Sequence, residues 1–305
     1  MKNPVARREF LKTAGALVAL AALPPRVLAA EAKPAAGGPF KEAIMWGTVG
    51  VKGSVAEKMQ AVKAAGFAGV EMTSHLNQTE VLQARDATGL EIPSVCGERH
   101  WQLPLSAPDP KVRAEGLAAL RQTLRDAKAY GAGSVLLVPG VVNKEVSFDD
   151  CWQRSIAQIQ LALPLAEELQ VKISIENVWN NFITTPEQAV RYLAAINSPW
   201  VGWHFDCGNV IRYGDPIVWI EALGQHIQRV HIKEYSRDRA MRQNDVGAGF
   251  DVALLAGANN WPGIIKAFTA VGYAGYLITE QGGGDSPAGL RQLREQLAHI
   301  IATRA

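Results

Sequence analysis

The chain runs to 305 residues, 48% hydrophobic and 20% charged, with 28 Gly, 16 Pro and a net charge of +2. Those proportions exclude a disordered or collagen-like chain, and three cysteines (Cys96, Cys151, Cys207) with no CxxC pair exclude a disulfide framework or a thiolate zinc site. The charge is unevenly placed: Lys2, Arg7, Arg8, Lys12 and Arg26 face Glu9 alone in residues 1–30, so that segment carries +4 and the remainder −2, which gives no basic footprint for nucleic acid.

Residues 1–30 contain Arg7-Arg8-Glu9-Phe10-Leu11-Lys12, an apolar run from Thr13 to Leu23, and small residues at Ala29-Ala30. A charged start, a short apolar stretch and a small-residue cleavage point make an export signal, and the run falls short of the ~20 apolar residues that a spanning helix needs. The paired arginines resemble the twin-arginine signal, with Ala6 where that family usually has Ser or Thr. That resemblance implies the twin-arginine export machinery as a partner, a periplasmic location, and a protein folded and loaded before export. A general-secretion signal or an uncleaved anchor is the alternative. Residues 31–39 read as a linker. The domain expected over 40–305 is close to the ~250 residues of a (β/α)8 barrel.

From Phe40 onward, short apolar runs alternate with stretches of three-to-four-residue apolar spacing. The predicted order is strand Ile44–Val49, helix Val55–Ala65, strand Gly69–Thr73, helix Thr79–Thr88, strand Ile92–Cys96 and helix Pro110–Tyr130. It continues with strand Ser134–Val138, helix Trp152–Leu169, strand Lys172–Glu176, helix Pro186–Ile196, strand Val201–Asp206 and helix Ile217–Leu223. Strand Arg229–Lys233, helix Ile264–Val271, strand Tyr276–Glu280 and helix Leu290–Ile301 complete it. Repeated strand–helix units predict a parallel sheet. Three helix-to-strand connectors echo one another, at Gly66-Phe67-Ala68-Gly69, Gly131-Ala132-Gly133 and Gly272-Tyr273-Ala274-Gly275, as one repeated unit would. The expected fold class is α/β, a single-domain (β/α)8 TIM barrel. The competing open doubly wound sheet would carry G-x-G-x-x-G after its first strand, and this chain does not.

In such a barrel the reactive groups sit at the C-terminal ends of the strands. Four consecutive predicted strands end on or near an ionisable residue: Glu176, Asp206, His231 and Glu280. A single buried carboxylate there is as readily half of an ion pair, but three converging with an imidazole need neutralising, and a divalent cation does so. The oxygen-rich set favours Mn²⁺, with Mg²⁺, Co²⁺ or Zn²⁺ as alternatives.

Glu176-Asn177, Phe205-Asp206-Cys207-Gly208-Asn209, His231-Ile232-Lys233-Glu234 and Thr279-Glu280 resemble the four metal-binding strand ends of the xylose isomerase-like TIM barrel superfamily, sugar (phosphate) isomerases and epimerases. The resemblance spans essentially 44–300. It implies Glu176, Asp206, His231 and Glu280 as metal ligands and Glu176 and Glu280 as the acid/base pair of a metal-assisted, enediolate-forming reaction on a keto-sugar. Arg237 matches an arginine that contacts substrate in ketose 3-epimerases. Asn209 and Phe182 depart from their His and Glu, so the substrate-holding shell is expected to differ.

Further candidate substrate contacts are His100 and Trp101 after strand 3, Trp46 and Trp179 as stacking surfaces, Lys233 on the strand parity of His231, and Asn209. Glu71 at the end of strand 2 is a candidate to support a metal ligand or to contact substrate, an ion pair being the alternative. His204 is expected deeper, hydrogen-bonded in the interior. Gly282-Gly283-Gly284 is a weak signal for phosphate. The reading is therefore a divalent-metal-dependent sugar isomerase or epimerase with a small-molecule sugar substrate and no nucleic acid, a homo-oligomer being left open. A lyase or dehydratase on an oxidised sugar, and a non-catalytic periplasmic sugar-binding protein, are the alternatives. The DNA-repair endonucleases of the superfamily need a histidine-rich zinc site and a basic groove that this body lacks.

Overall fold

The structure, a computed structural model, describes residues 40–303; the signal and linker read in residues 1–39 lie outside the described residues. Eight parallel strands close on themselves in sequence order. They are β1 (Lys41–Met45), β2 (Gly69–Thr73), β3 (Val95–Cys96), β4 (Ser134–Leu137), β5 (Lys172–Glu176), β6 (Val201–Asp206), β7 (Ile227–Ile232) and β8 (Tyr276–Thr279). The helices between and after them are α1 (Val55–Ala64), α2 (Gln78–Thr88), α3 (Pro110–Tyr130), α4 (Phe148–Leu169), α5 (Pro186–Ile196), α6 (Pro216–Leu223), α7 (Arg237–Gln243), α8 (Trp261–Ala270) and α9 (Pro287–Ala302). The expected (β/α)8 barrel is the fold.

The repeated connectors have a common cause. Gly66, Gly131 and Gly272 take φ of +95°, +81° and +76°, which lets each helix end and turn back toward the sheet without a Cβ clash. At the opposite end of α5, Thr185 accepts from the Gln188 N–H while Gln188 reaches back, with Pro186 as the first helical residue.

Several element ends differ from expectation by one to four residues, and three departures have a clear physical cause. β1 starts and stops early: Lys41 at its foot pairs with Glu91 at 2.7 Å, and the apolar run beyond Met45 coils into a 3₁₀ turn, Trp46–Thr48. Only Val95–Cys96 of the third run makes ladder bonds. Helix α7 was not expected, because of its seven residues only Ala240 is buried and no apolar period marks it.

Alternation along the strands divides the barrel into two environments. Outward-facing Val70, Val135, Ile173, Phe205, Val230 and Leu277 join the helices in the large apolar core. Inward-facing positions hold small apolar groups with Ala43 and Ile278 low on one side, and Cys96 and Leu136 higher up. Between them the register brings Glu71, Ser134, Ser174, His204 and His231, each at most 1% exposed, into the interior. This polar interior departs from the branched aliphatic filling usual for such barrels. It lies directly beneath the strand ends that carry the site.

Candidate metal centre and active site

β5, β6 and β7 are parallel neighbours whose register sets Glu176 beside His204 and Asp206 beside His231. Glu280 follows β8 and is tied to the end of neighbouring β7 by its backbone N–H, which donates to the Ile232 carbonyl at 3.0 Å. The four side chains therefore meet: His231 Nδ1 lies 3.2 Å from Glu176 Oε1, 3.0 Å from Glu280 Oε2 and 3.9 Å from Asp206 Oδ2. One ligand atom from each falls within 4.8 Å of all the others. Two buried carboxylate oxygens in this group, Asp206 Oδ2 and Glu280 Oε2, make no hydrogen bond. Buried anionic oxygens left unsatisfied at one point, together with an imidazole nitrogen, fit a hard or borderline divalent cation.

Asp206 is held with little freedom. Its Oδ1 accepts from the Asn209 N–H at 2.6 Å, and its own N–H donates to Asn177 Oδ1 at 3.0 Å. Asn177 Nδ2 donates to the Asp206 carbonyl, and Asn177 Oδ1 also accepts from Trp203 Nε1. Asn177 is thus a brace that sequence reasoning did not single out beyond its place beside Glu176.

The charges are not symmetric. Lys233 faces inward as expected, its Nζ 3.1 Å from Glu280 Oε1 and 3.9 Å from Asp206 Oδ2. Burial pushes the Glu280 carboxyl up, but Lys233 and His231 outweigh it and hold the group well below the ordinary range. For Glu176, burial and the neighbouring Glu280 charge leave the carboxyl above its ordinary range. Burial likewise carries Asp206 well up. His100 is neutral, its pKa lowered to about 4 by burial.

A cleft of about 430 Å³ opens over the cluster, within the range of small-molecule sites. His100 and Trp101 line one wall, their rings 5.7 Å apart edge to face. Trp179 and Phe250 line another, 4.7 Å apart, with Lys233 Nζ 4.8 Å above the Phe250 ring. Asn209 is at the lining, but its Nδ2 is spent on the Asn177 carbonyl. Phe250 was not foreseen, because it comes from the long segment after β7 where no strand or helix period points at the site.

Three expected contacts lie elsewhere. Arg237 is exposed and donates to the carbonyls of Ile211 at 2.6 Å and Gly214 at 3.3 Å, so it ties two loops together away from the cleft. Trp46 packs on the outer core beneath Lys58, whose Nζ lies 5.3 Å from the ring. Glu71 is fully buried below the cluster, with no face toward the cleft. His204 is interior as expected, yet neither ring nitrogen has a hydrogen-bond partner. Phe182 packs against Phe148, Trp152 and Tyr192, so the epimerases' glutamate position is here part of the core.

The segment that delivers Phe250 hangs on one buried carboxylate. Glu234 accepts from the N–H groups of Tyr235, Leu255 and Asn259 and from Trp261 Nε1, at 2.8 to 3.3 Å. Each donor left unsatisfied costs about 1–3 kcal/mol. Glu234→Ala is therefore expected to lower unfolding free energy by about 3 kcal/mol or more in chemical denaturation, and a loss under about 1 kcal/mol would contradict this role.

Fold and site together define a (β/α)8 barrel with a cluster able to hold a cation at the C-terminal mouth of its strands. The chain belongs to the xylose isomerase-like TIM barrel family, whose model matches residues 59–302. Among curated proteins it is 26% identical over 192 residues to L-ribulose-5-phosphate 3-epimerase UlaE of Escherichia coli (strain K12), covering 58% of this chain and 68% of that one. Such epimerases are isomerase-class enzymes. Among solved structures it resembles 3-keto-D-glucoside 4-epimerase YcjR from E. coli (TM-score 0.72, 18% identity, 86% of this chain and 99% of that one). It also resembles the zinc-bound IOLI protein (TM-score 0.73, 15% identity, 86% and 98%).

Proposed function

We propose that the protein is a divalent-metal-dependent sugar epimerase or isomerase acting on an unphosphorylated keto-sugar. The observation that carries the reading is the meeting of Glu176, Asp206, His231 and Glu280 around two buried carboxylate oxygens that lack hydrogen bonds. A divalent cation held there, Mn²⁺ first among the candidates, would supply Lewis acidity that acidifies the C–H beside a carbonyl and steadies an enediolate.

The chain's own groups move the protons. Glu280, paired with Lys233 at 3.1 Å, takes the proton from the carbon next to the carbonyl, and Glu176 returns one from the other face. His100 and Trp101 against Trp179 and Phe250 give apolar faces for the sugar ring.

The relative UlaE is named for a phosphorylated substrate. In this cleft Lys233 is the one cationic side chain among the described lining residues, and it is paired with Glu280. The adjoining cleft under Gly282 and Gly283 is lined by Asp251 and three glutamines, with no cation among its described lining residues. Both observations support an uncharged sugar.

The test is incubation of free and phosphorylated ketoses with Mn²⁺-loaded protein in D₂O. Deuterium beside the carbonyl with an epimer or aldose product, for free sugars, supports the reading. An unsaturated or cleaved product would overturn it in favour of a lyase, and binding without exchange in favour of a sugar-binding protein.

We further propose that residues 1–30 direct twin-arginine export to the periplasm, supported by Arg7-Arg8 directly before the apolar run from Thr13 to Leu23. The double substitution Arg7→Lys, Arg8→Lys is expected to leave unprocessed protein in the cytoplasmic fraction. Undiminished processing of that variant would argue for general secretion.

A further inference from the structure

We infer that Glu71 is a positioning residue for the metal centre: it accepts a hydrogen bond from the Nε2–H of His231 and so leaves the Nδ1 lone pair pointing at the ion. The inference rests on the metal reading above and assigns a part to a residue that touches neither cleft nor cluster centre.

His231 has two ring nitrogens and two different surroundings. Nδ1 faces Glu176, Glu280 and Asp206, whereas Nε2 lies 2.7 Å from Glu71 Oε2 on the opposite side. A neutral imidazole carries one proton, and a nitrogen that binds a cation must be the bare one. With Nδ1 as the ligand the proton belongs on Nε2, and only a group that accepts there, with no proton to donate in return, fixes that tautomer. An ionised carboxylate meets the requirement.

The surroundings of Glu71 suit this part. Its second oxygen, Oε1, accepts from Ser94 Oγ. Arg229, the nearest inward-facing cation on β7, spends its guanidinium on the Pro93 and Gln228 carbonyls. His204 Nε2 is 3.8 Å from Oε1, too far to compete for it, and the His204 ring packs 4.2 Å from that of His231. A carboxylate at 0% exposure, with no arginine or lysine partner among the described residues, weakens a fold that an aliphatic residue at this layer would strengthen. Its presence is explained by His231.

That opposition between stability and binding gives the test. Glu71→Gln keeps the size of the side chain and removes its charge. Titration with Mn²⁺ alone is expected to show affinity 10–100-fold weaker than the parent's. The metal-free variant is expected to melt at the same temperature as the metal-free parent or higher. Mn²⁺ affinity within threefold of the parent's would overturn the inference, as would a metal-free variant that melts lower while its affinity is unchanged.

Should the variant fail to fold, the parent protein decides. With zinc bound and histidine labelled with ¹⁵N, a slowly exchanging Nε2 proton on His231 supports the assignment, and a proton on Nδ1 overturns it. If the parent itself takes up no ion, the metal reading of the preceding section fails with it. If the parent binds tightly and Glu71→Gln is indistinguishable, only the present inference fails.

Discussion

Glu176→Gln, measured at saturating Mn²⁺, is expected to slow exchange of the proton beside the carbonyl by about 10²–10⁴-fold, the ordinary contribution of a positioned acid or base. Glutamine keeps an oxygen at the mouth of the barrel and cannot shuttle a proton, so ion binding weakens less than turnover. The loss should fall on kcat more than on KM, because the apolar walls formed by Trp179 and Phe250 remain. An exchange rate within tenfold of the parent's would remove Glu176 from the acid/base pair.

Lys233→Gln is expected to move the acid limb of the pH profile of kcat/KM upward by about 1–3 pH units, the effect of losing an opposite charge within a few ångströms. The direction follows from Glu280. Its pKa is depressed by Lys233 and His231, so the ionised base is present above that depressed value and activity is lost as pH falls through it. Without the ammonium 3.1 Å away the value rises and the loss begins at higher pH. Binding a cation lowers the pKa of both glutamates, while the difference that Lys233 imposes on Glu280 remains. An unmoved or downward-moving limb would assign the base to another group.

How far the sequence foretold the fold depended on whether burial left a pattern along a segment. Strands β2, β5 and β6 have the predicted boundaries because burial on both faces makes each a short run, and helices α3 and α5 because three-to-four spacing there reflects a single packed face. β1 was read late because its first residues, Lys41 and Glu42, are polar for local reasons: they pair with Glu91 and Arg294 at the barrel foot. Helix α7 has one buried residue and so no period to read.

In the site, the same logic decides which side chains the sequence could place together. Glu176, Asp206, His231 and Glu280 were legible because strand ends in this fold must converge. Arg237 was assigned by its spacing from His231, and spacing along a loop does not fix where a long side chain turns; two free carbonyls, of Ile211 and Gly214, claimed it. For Glu71 the position and a supporting role were legible but the partner was not, since His231 is 160 residues away in sequence.

The division of labour within the barrel has a consequence for how such a protein can change. Glu71, Glu176, Asp206 and His231 are all carried by strands, whose places are set by the closed ladder. His100, Trp101, Trp179 and Phe250, which line the cleft, are carried by the segments between strands and helices. The clustered ionisable groups and the cleft walls are therefore carried largely on separate parts of the chain, with Lys233 and Glu280 directly after β7 and β8, and exchange of the connecting segments beyond those two residues with those of a related barrel is expected to redirect the protein to another sugar while the proton-transfer groups are kept.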